Sequence, residues 1–363
     1  GDVQRVDLAG CALAPGFIDL HFHGELIFAS PEALPGVLAR TQVARAAEGT
    51  TAFLATSVTQ PHEDLGVFVG ELAAQMAESR GRGAEPIGIH LEGPWINPRA
   101  AGAQPAAAIR AYRPDELAEL LARASGLIRL VTLAPEIEGR DALLSALARA
   151  NVVAALGHSL AGPAEVEESV EAGLCHVTHL FNAMGSTRHR EELQGDVYGE
   201  DELAGRLLLD DRLSCDLICD GVHVHPSVVA MAARAKREQL MLITDRVELP
   251  PNEGTGTPQE MSVPGLGGIV DDGTALRLAD GRLAGSCLSL DRAVRNAISF
   301  GAMERLEAIA ASTLQPARLL GIESERGTLR RGARADFVVL DADNNVQETW
   351  VGGESVYRRP RLS

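Results

Sequence analysis

Pro15-Gly16-Phe17-Ile18-Asp19-Leu20-His21-Phe22-His23-Gly24 is the stretch on which the fold reading turns. Its apolar residues run up to two histidines spaced i, i+2, and in a β-strand that spacing aims both imidazoles at one face. Two neutral imidazoles so placed can chelate one metal ion. The plainer reading is a half-buried strand that happens to carry histidines. Against it stands the rest of the chain, which supplies three more metal-type ligands and one acid at the ends of later strands.

From that stretch outward a unit repeats: an apolar strand, a polar residue at its end, then a helical stretch. Strands are expected near 16–22, 50–56, 86–91, 127–133, 151–156, 174–179, 213–219 and 239–244. Between them Val37 to Glu48, Pro114 to Ala124, Ala142 to Ala150 and Ser227 to Arg237 carry apolar residues at helical intervals, with Pro114 just inside a helix start and Gly49 and Gly126 just past helix ends. Strands alternating with helices imply parallel pairing through right-handed crossovers, and eight such units imply an α/β fold of the (β/α)8 TIM-barrel type, with a doubly wound open sheet as the alternative. The barrel is expected over 15–326. Residues 246–286 break the rhythm with Gly, Pro and the hairpin signals Asp272-Gly273 and Asp280-Gly281, and are read as a lid or edge hairpin over the mouth. Residues 1–14 and 327–363 are β-prone and are expected to form a small β-sandwich domain from both chain ends.

A formal charge of -17 tells against nucleic acid and anionic membranes as partners. The five cysteines (Cys11, Cys175, Cys215, Cys219, Cys287) show no CxxC pairing, which fits a reducing cytoplasm better than a disulfide framework. No apolar run approaches the roughly 20 residues that span a bilayer, and residues 1–14 lack the order of a signal peptide, so the chain is read as soluble.

The polar residues closing the strands are His21 and His23, Thr56 with Ser57, Glu92, Glu136, His158, His179, His223 and Asp245. In such barrels chemistry gathers at the C-terminal mouth. Glu92, His158 and His179, one carboxylate and two imidazoles from separate strands, make a three-ligand site with one open position, which is the catalytic pattern. An ion there lowers the pKa of water from 15.7 to roughly 7. Asp245 ends the last strand and can take a proton from water and deliver it to a leaving amine; the alternative is a helix cap, and Arg246 and the prolines at 250 and 251 open a loop instead. Asn182, Ala183, Arg190 and His223 offer backbone N–H groups, a guanidinium and an imidazole suited to a phosphate, although loop arginines are commonly just solvated. His62, His176 and His189 show no partner pattern and are read as surface or packing histidines.

Pro15 to Gly24, His90 to Pro94, Gly157-His158-Ser159, Thr178 to Met184, Asp220 to Pro226, Thr244-Asp245 and Leu283 to Ser286, in this order, resemble the N-acetylglucosamine-6-phosphate deacetylases of the amidohydrolase superfamily over nearly the whole chain. The resemblance implies a metal-dependent barrel hydrolase that removes acetate from an N-acetylated amino-sugar phosphate, giving glucosamine 6-phosphate, and acts as a homodimer. Carried over by position, Glu92, His158 and His179 hold the main divalent metal, zinc or else iron, manganese or cobalt; Asp245 is the general base and acid. Asn182, Ala183, Arg190 and His223 bind sugar and phosphate, Arg190 reaching a neighbouring subunit's site, and 327–336 matches the returning β-segment. His21 and His23 depart from single-metal members and are expected to hold a second ion, with Gln104 standing where such members carry a histidine and acting as a weaker donor to substrate. Arg246-Val247-Glu248 replaces small apolar residues and is expected to rearrange the sugar pocket. The segment ahead of Pro15 is shorter than is typical, so an incomplete β-domain is expected. Other amides (N-acetylgalactosamine 6-phosphate, an N-acyl amino acid, a cyclic imide) and a non-catalytic sugar-phosphate sensor are the competing readings.

Overall fold

The computed structural model describes residues 7–8, 10–79, 81–185, 202–250, 260–263 and 267–360. A first strand, β1 (Ala12–Pro15), runs into β2 (Phe17–Gly24). Then β3 (Thr50–Thr56), β4 (Glu85–Glu92), β5 (Ile128–Leu133), β6 (Val153–Leu156), β7 (His176–Val177), β8 (Ser214–Ile218) and β9 (Leu240–Ile243) follow, each parallel to its predecessor from β2 onward. Every residue of β2 and β3 is buried, the mark of parallel strands covered on both faces.

Closure of the ring separates a barrel from an open sheet. The chain leaving β9 continues into β10 (Arg246–Val247), which pairs in parallel with β2 through Arg246 opposite Phe22. Just before it the Asp245 N–H donates to the His21 carbonyl at 2.9 Å, and the Thr244 hydroxyl donates to buried Asp19 at 2.7 Å. The eighth strand is thus tied to the first at the mouth, and the expected barrel stands.

The crossover helices pack their apolar faces on this ring. Pro114–Ala124 shows why they start and stop where they do: Pro114 opens it, Asp115 and Glu116 lie in its positive first turn, and Ser125 (φ 50°) and Gly126 (φ 84°) end it in left-handed backbone.

After the barrel, β11 (Glu260–Val263), β12 (Gly267–Asp271), β13 (Ala275–Leu278) and β14 (Leu283–Ser286) form an antiparallel meander attached to β10. The Asp272-Gly273 and Asp280-Gly281 pairs make its turns, with both glycines at positive φ. Finally β15 (Phe337–Leu340), β16 (Val346–Val351) and β17 (Glu354–Arg358) join β1 in a four-stranded antiparallel sheet, β1 pairing with β15. Buried Arg326 bonds to Asp336 beside this sheet and to Glu85 on β4 (2.5 Å), stitching the sheet to the barrel wall.

Candidate active site

Each strand-end ligand of the sequence reading arrives at the same mouth. His21 and His23 lie within β2 and Glu92 closes β4, while His158, His179 and Asp245 each stand two residues beyond β6, β7 and β9. These last three have positive φ (49°, 33° and 47°), as does Ala183 (50°). Non-glycine residues are rarely found there, and such strain collects where a side chain must be aimed at a functional point. Gly157 lets the strand reach that bend, since a Cβ on it would lie 2.5 Å from Thr132 Cγ2.

Glu92 is the hub. Its Oε1 lies 3.0 Å from His158 Nε2 and 2.9 Å from His179 Nε2, which are themselves 3.2 Å apart. Its Oε2 lies 3.2 Å from His23 Nε2 and 3.5 Å from His21 Nε2, themselves 3.0 Å apart. Two trios of ligand atoms therefore share one carboxylate, one oxygen to each. Asp245 Oδ1 stands 3.3 Å from both His21 Nε2 and His23 Nε2.

The donor set fits a divalent cation. His158 Nδ1 faces the Ala100 carbonyl (3.0 Å) and His23 Nδ1 the Thr56 carbonyl (3.2 Å); each carbonyl holds the Nδ1 proton and leaves Nε2 turned to the centre. Burial alone would lower the pKa of His23 and His179. The carboxylates of Asp245 and Glu92 outweigh it, holding His23 at about 10, and Glu92 above all holds His179 at about 9. Burial would raise Glu92, yet the charge of His21 and the bonds from His158 and His179 hold it well below the usual range. A pocket that favours positive charge on these nitrogens this strongly also favours a metal ion in place of the protons.

Gln104 is buried and spent on the centre, its Nε2 donating to Glu92 Oε2 (2.6 Å) while its Oε1 accepts the Thr59 N–H (2.6 Å). Asn182, Ala183 and His223 line the same cavity, of about 900 Å³, with His223 Nδ1 fixed on Asp220 at 2.6 Å. Arg190 and His189 lie outside the described residues. Glu136 is turned away from the cavity onto the Ser159 hydroxyl and the Leu160 N–H, holding the bend that carries His158.

Two expectations need correction. His176 does have a partner: it is fully buried, bonded to Asp216 Oδ2 at 2.9 Å, and the other oxygen of Asp216 accepts the His179 N–H at 2.5 Å. The pair braces a ligand from behind, and His-x-x-His in His176 to His179 was its only trace in the sequence. Likewise Arg246 does not enter the sugar pocket; it turns to Glu48 (3.1 Å) and Glu248 (2.9 Å), both of which also hold buried Arg45. His62 is likewise partnered, by Glu119 at 2.8 Å.

The amidohydrolase family profile matches residues 12–356. The chain is 36% identical to the N-acetylglucosamine-6-phosphate deacetylase of Bos taurus over 98% of this chain and 86% of that one. It is 34% identical to the N-acetylgalactosamine-6-phosphate deacetylase of Escherichia coli O157:H7 over 94% of this chain and 87% of the other. Among solved structures, a mutant N-acetyl-D-glucosamine-6-phosphate deacetylase from Mycobacterium smegmatis, in complex with N-acetyl-D-glucosamine-6-phosphate, superposes with a TM-score of 0.81 at 32% identity, covering 95% of this chain and 87% of that one.

Proposed function

Since the chain belongs to the amidohydrolase family, and within it to the amino-sugar-phosphate deacetylases, we propose that it hydrolyses N-acetylglucosamine 6-phosphate to acetate and glucosamine 6-phosphate. The observation that carries this is the shared Glu92, with an imidazole pair on each oxygen and Asp245 beside one pair. Glu92, His158 and His179 would hold one divalent ion, for which zinc is our choice over iron, manganese and cobalt, and His21, His23 and Glu92 a second. When bound, such ions acidify water and polarise a carbonyl. Asp245, held as a carboxylate by His21 and His23 against the effect of burial, accepts the proton of the attacking water and returns it to the amine nitrogen as the carbon–nitrogen bond breaks. Asn182, the Ala183 backbone and His223 orient the sugar and its phosphate. A homodimer is the assembly we propose, with Arg190 reaching the neighbouring subunit's phosphate. The five free cysteines support a cytoplasmic setting, and no helix among the described residues is long and apolar enough to cross a membrane.

The Escherichia coli relative makes the galacto epimer the second reading. Acetate release from N-acetylglucosamine 6-phosphate, N-acetylgalactosamine 6-phosphate and N-acetyl amino acids tests both. The gluco phosphate should have the highest kcat/KM, and turnover confined to an amino acid would reject the assignment.

A further inference from the structure

Much of the cavity wall is apolar. At about 900 Å³ the cavity stands near the top of the roughly 300–1,000 Å³ found for small-molecule sites. It also has two unlike ends. One lies beyond β7 and β8, where Asn182, Ala183 and His223 gather. The other lies across the barrel, beyond β2 and β3, walled by Ile27, Phe28, Leu34, Val58 and Phe68, with Val67 at its outer edge.

Charge fixes which way a substrate lies between them. Asp64 and Glu71 rim the apolar arm, and Arg282, the one arginine among the described residues lining the cavity, is paired with Asp280 (2.8 Å). A phosphate is repelled from that rim and accepted where Asn182, the Ala183 backbone and His223 gather. With the phosphate there and the amide at Glu92 and Asp245, the acyl group points into the apolar arm. The arm starts beside the reacting centre: Val58 precedes Thr59, whose N–H is held through Gln104 on Glu92, and Ile27 lies in the 3-10 turn Leu26–Phe28 that follows β2.

We propose that this arm is an acyl-chain subsite, and that the enzyme removes N-acyl groups longer than acetyl from amino-sugar phosphates. This rests on the deacetylase reading. The reaction is the same hydrolysis: the oxygen of water bonds to the acyl carbon, the carbon–nitrogen bond breaks, and the proton passes by way of Asp245 to the amine. A chain carboxylate and the free amino sugar phosphate leave. Burying a methylene favours binding about fourfold, so lengthening the acyl chain is not penalised.

The test compares acid release from N-acetyl-, N-butyryl- and N-hexanoyl-glucosamine 6-phosphate by the full-length, metal-loaded protein. The expected result is a kcat/KM for the hexanoyl compound within tenfold of the acetyl compound or above it. Val58→Phe and Val67→Trp, which narrow the arm from two elements, should each lower the hexanoyl value at least tenfold while acetate release stays within threefold; Val67 is exposed on its helix, so that variant folds. Acetyl turnover with hexanoyl more than tenfold slower overturns the subsite, as does an unchanged hexanoyl-to-acetyl ratio in both variants. No release from any of the three refutes the deacetylase reading instead.

Discussion

Gln104 Nε2 lies 2.6 Å from Glu92 Oε2, on the carboxylate oxygen that faces His21 and His23. Its own carbonyl oxygen is taken by the Thr59 N–H, so the amide cannot turn over without losing both bonds. Gln104 therefore sets the angle at which Glu92 meets the two imidazole pairs. Groups that orient a ligand in this way commonly change metal affinity or activity 10- to 100-fold when removed. Gln104→Leu should show a loss of that size in chelator competition and in kcat, with the fold preserved by circular dichroism. An unchanged metal affinity and rate would show that Glu92 needs no such partner.

Two trios around one carboxylate lead to a stoichiometry. Protein purified without added metal should carry two ions per chain, falling to one in His21→Ala, with the remaining ion on Glu92, His158 and His179. A firm single ion in the parent, unchanged in the variant, would leave His21 and His23 with some other role.

Asp245 contacts His21 and His23 without completing either trio, which separates its role from theirs. Asp245→Asn keeps the shape and removes the proton acceptor. A decline in kcat of about 10²- to 10⁴-fold is expected, with metal content intact. Near-normal turnover by the purified variant would place the base elsewhere.

How much of this was readable beforehand depends on the distance over which each feature is decided. The strands announce themselves through apolar runs, and their closing residues stand where the run stops, so Glu92, His158 and His179 are local signals. Orientation is not local. Nothing near Gln104 shows that both ends of its amide are engaged by residues 12 and 45 positions away. The pairing of Arg246 with Glu48, 198 positions earlier, depends on β10 closing the ring against β2 and so cannot be read from Arg246-Val247-Glu248 alone. Asp216 reaches His176 because parallel pairing sets β7 beside β8, a matter of register.

That closing strand is held by charge. Arg45 and Arg246 share Glu48 and Glu248 in a four-membered group, and Arg45 also lies over the ring of Phe22 at 4.8 Å. Arg246→Met leaves two carboxylates on one guanidinium in a partly buried place. A stability loss of about 1–3 kcal/mol is expected in urea titration. The strand begins one residue after Asp245, so kcat should fall more than KM rises. Restoration of kcat by Arg246→Lys supports the charge as the cause, whereas an equally slow Lys variant would assign the effect to packing.

Asp19 gives a pH dependence of stability that is separate from the chemistry. It is almost fully buried under the closing strands, where it accepts bonds from the Thr244 hydroxyl and from the N–H groups of His21 and Thr244. Burial raises its carboxyl from 3.8 to about 6, and those bonds offset only part of the rise. The folded protein thus binds a proton that the unfolded chain has released between pH 4 and pH 6. Its stabilising contribution is complete below about pH 4 and is lost as pH rises through 6, a change on the order of 3 kcal/mol. Asp19→Asn keeps an acceptor for the backbone groups and removes the titration. In denaturant titrations of the metal-loaded proteins, the parent should lose more stability than the variant between pH 4.5 and pH 7.5. Parallel profiles would mean that Asp19 titrates alike in both states.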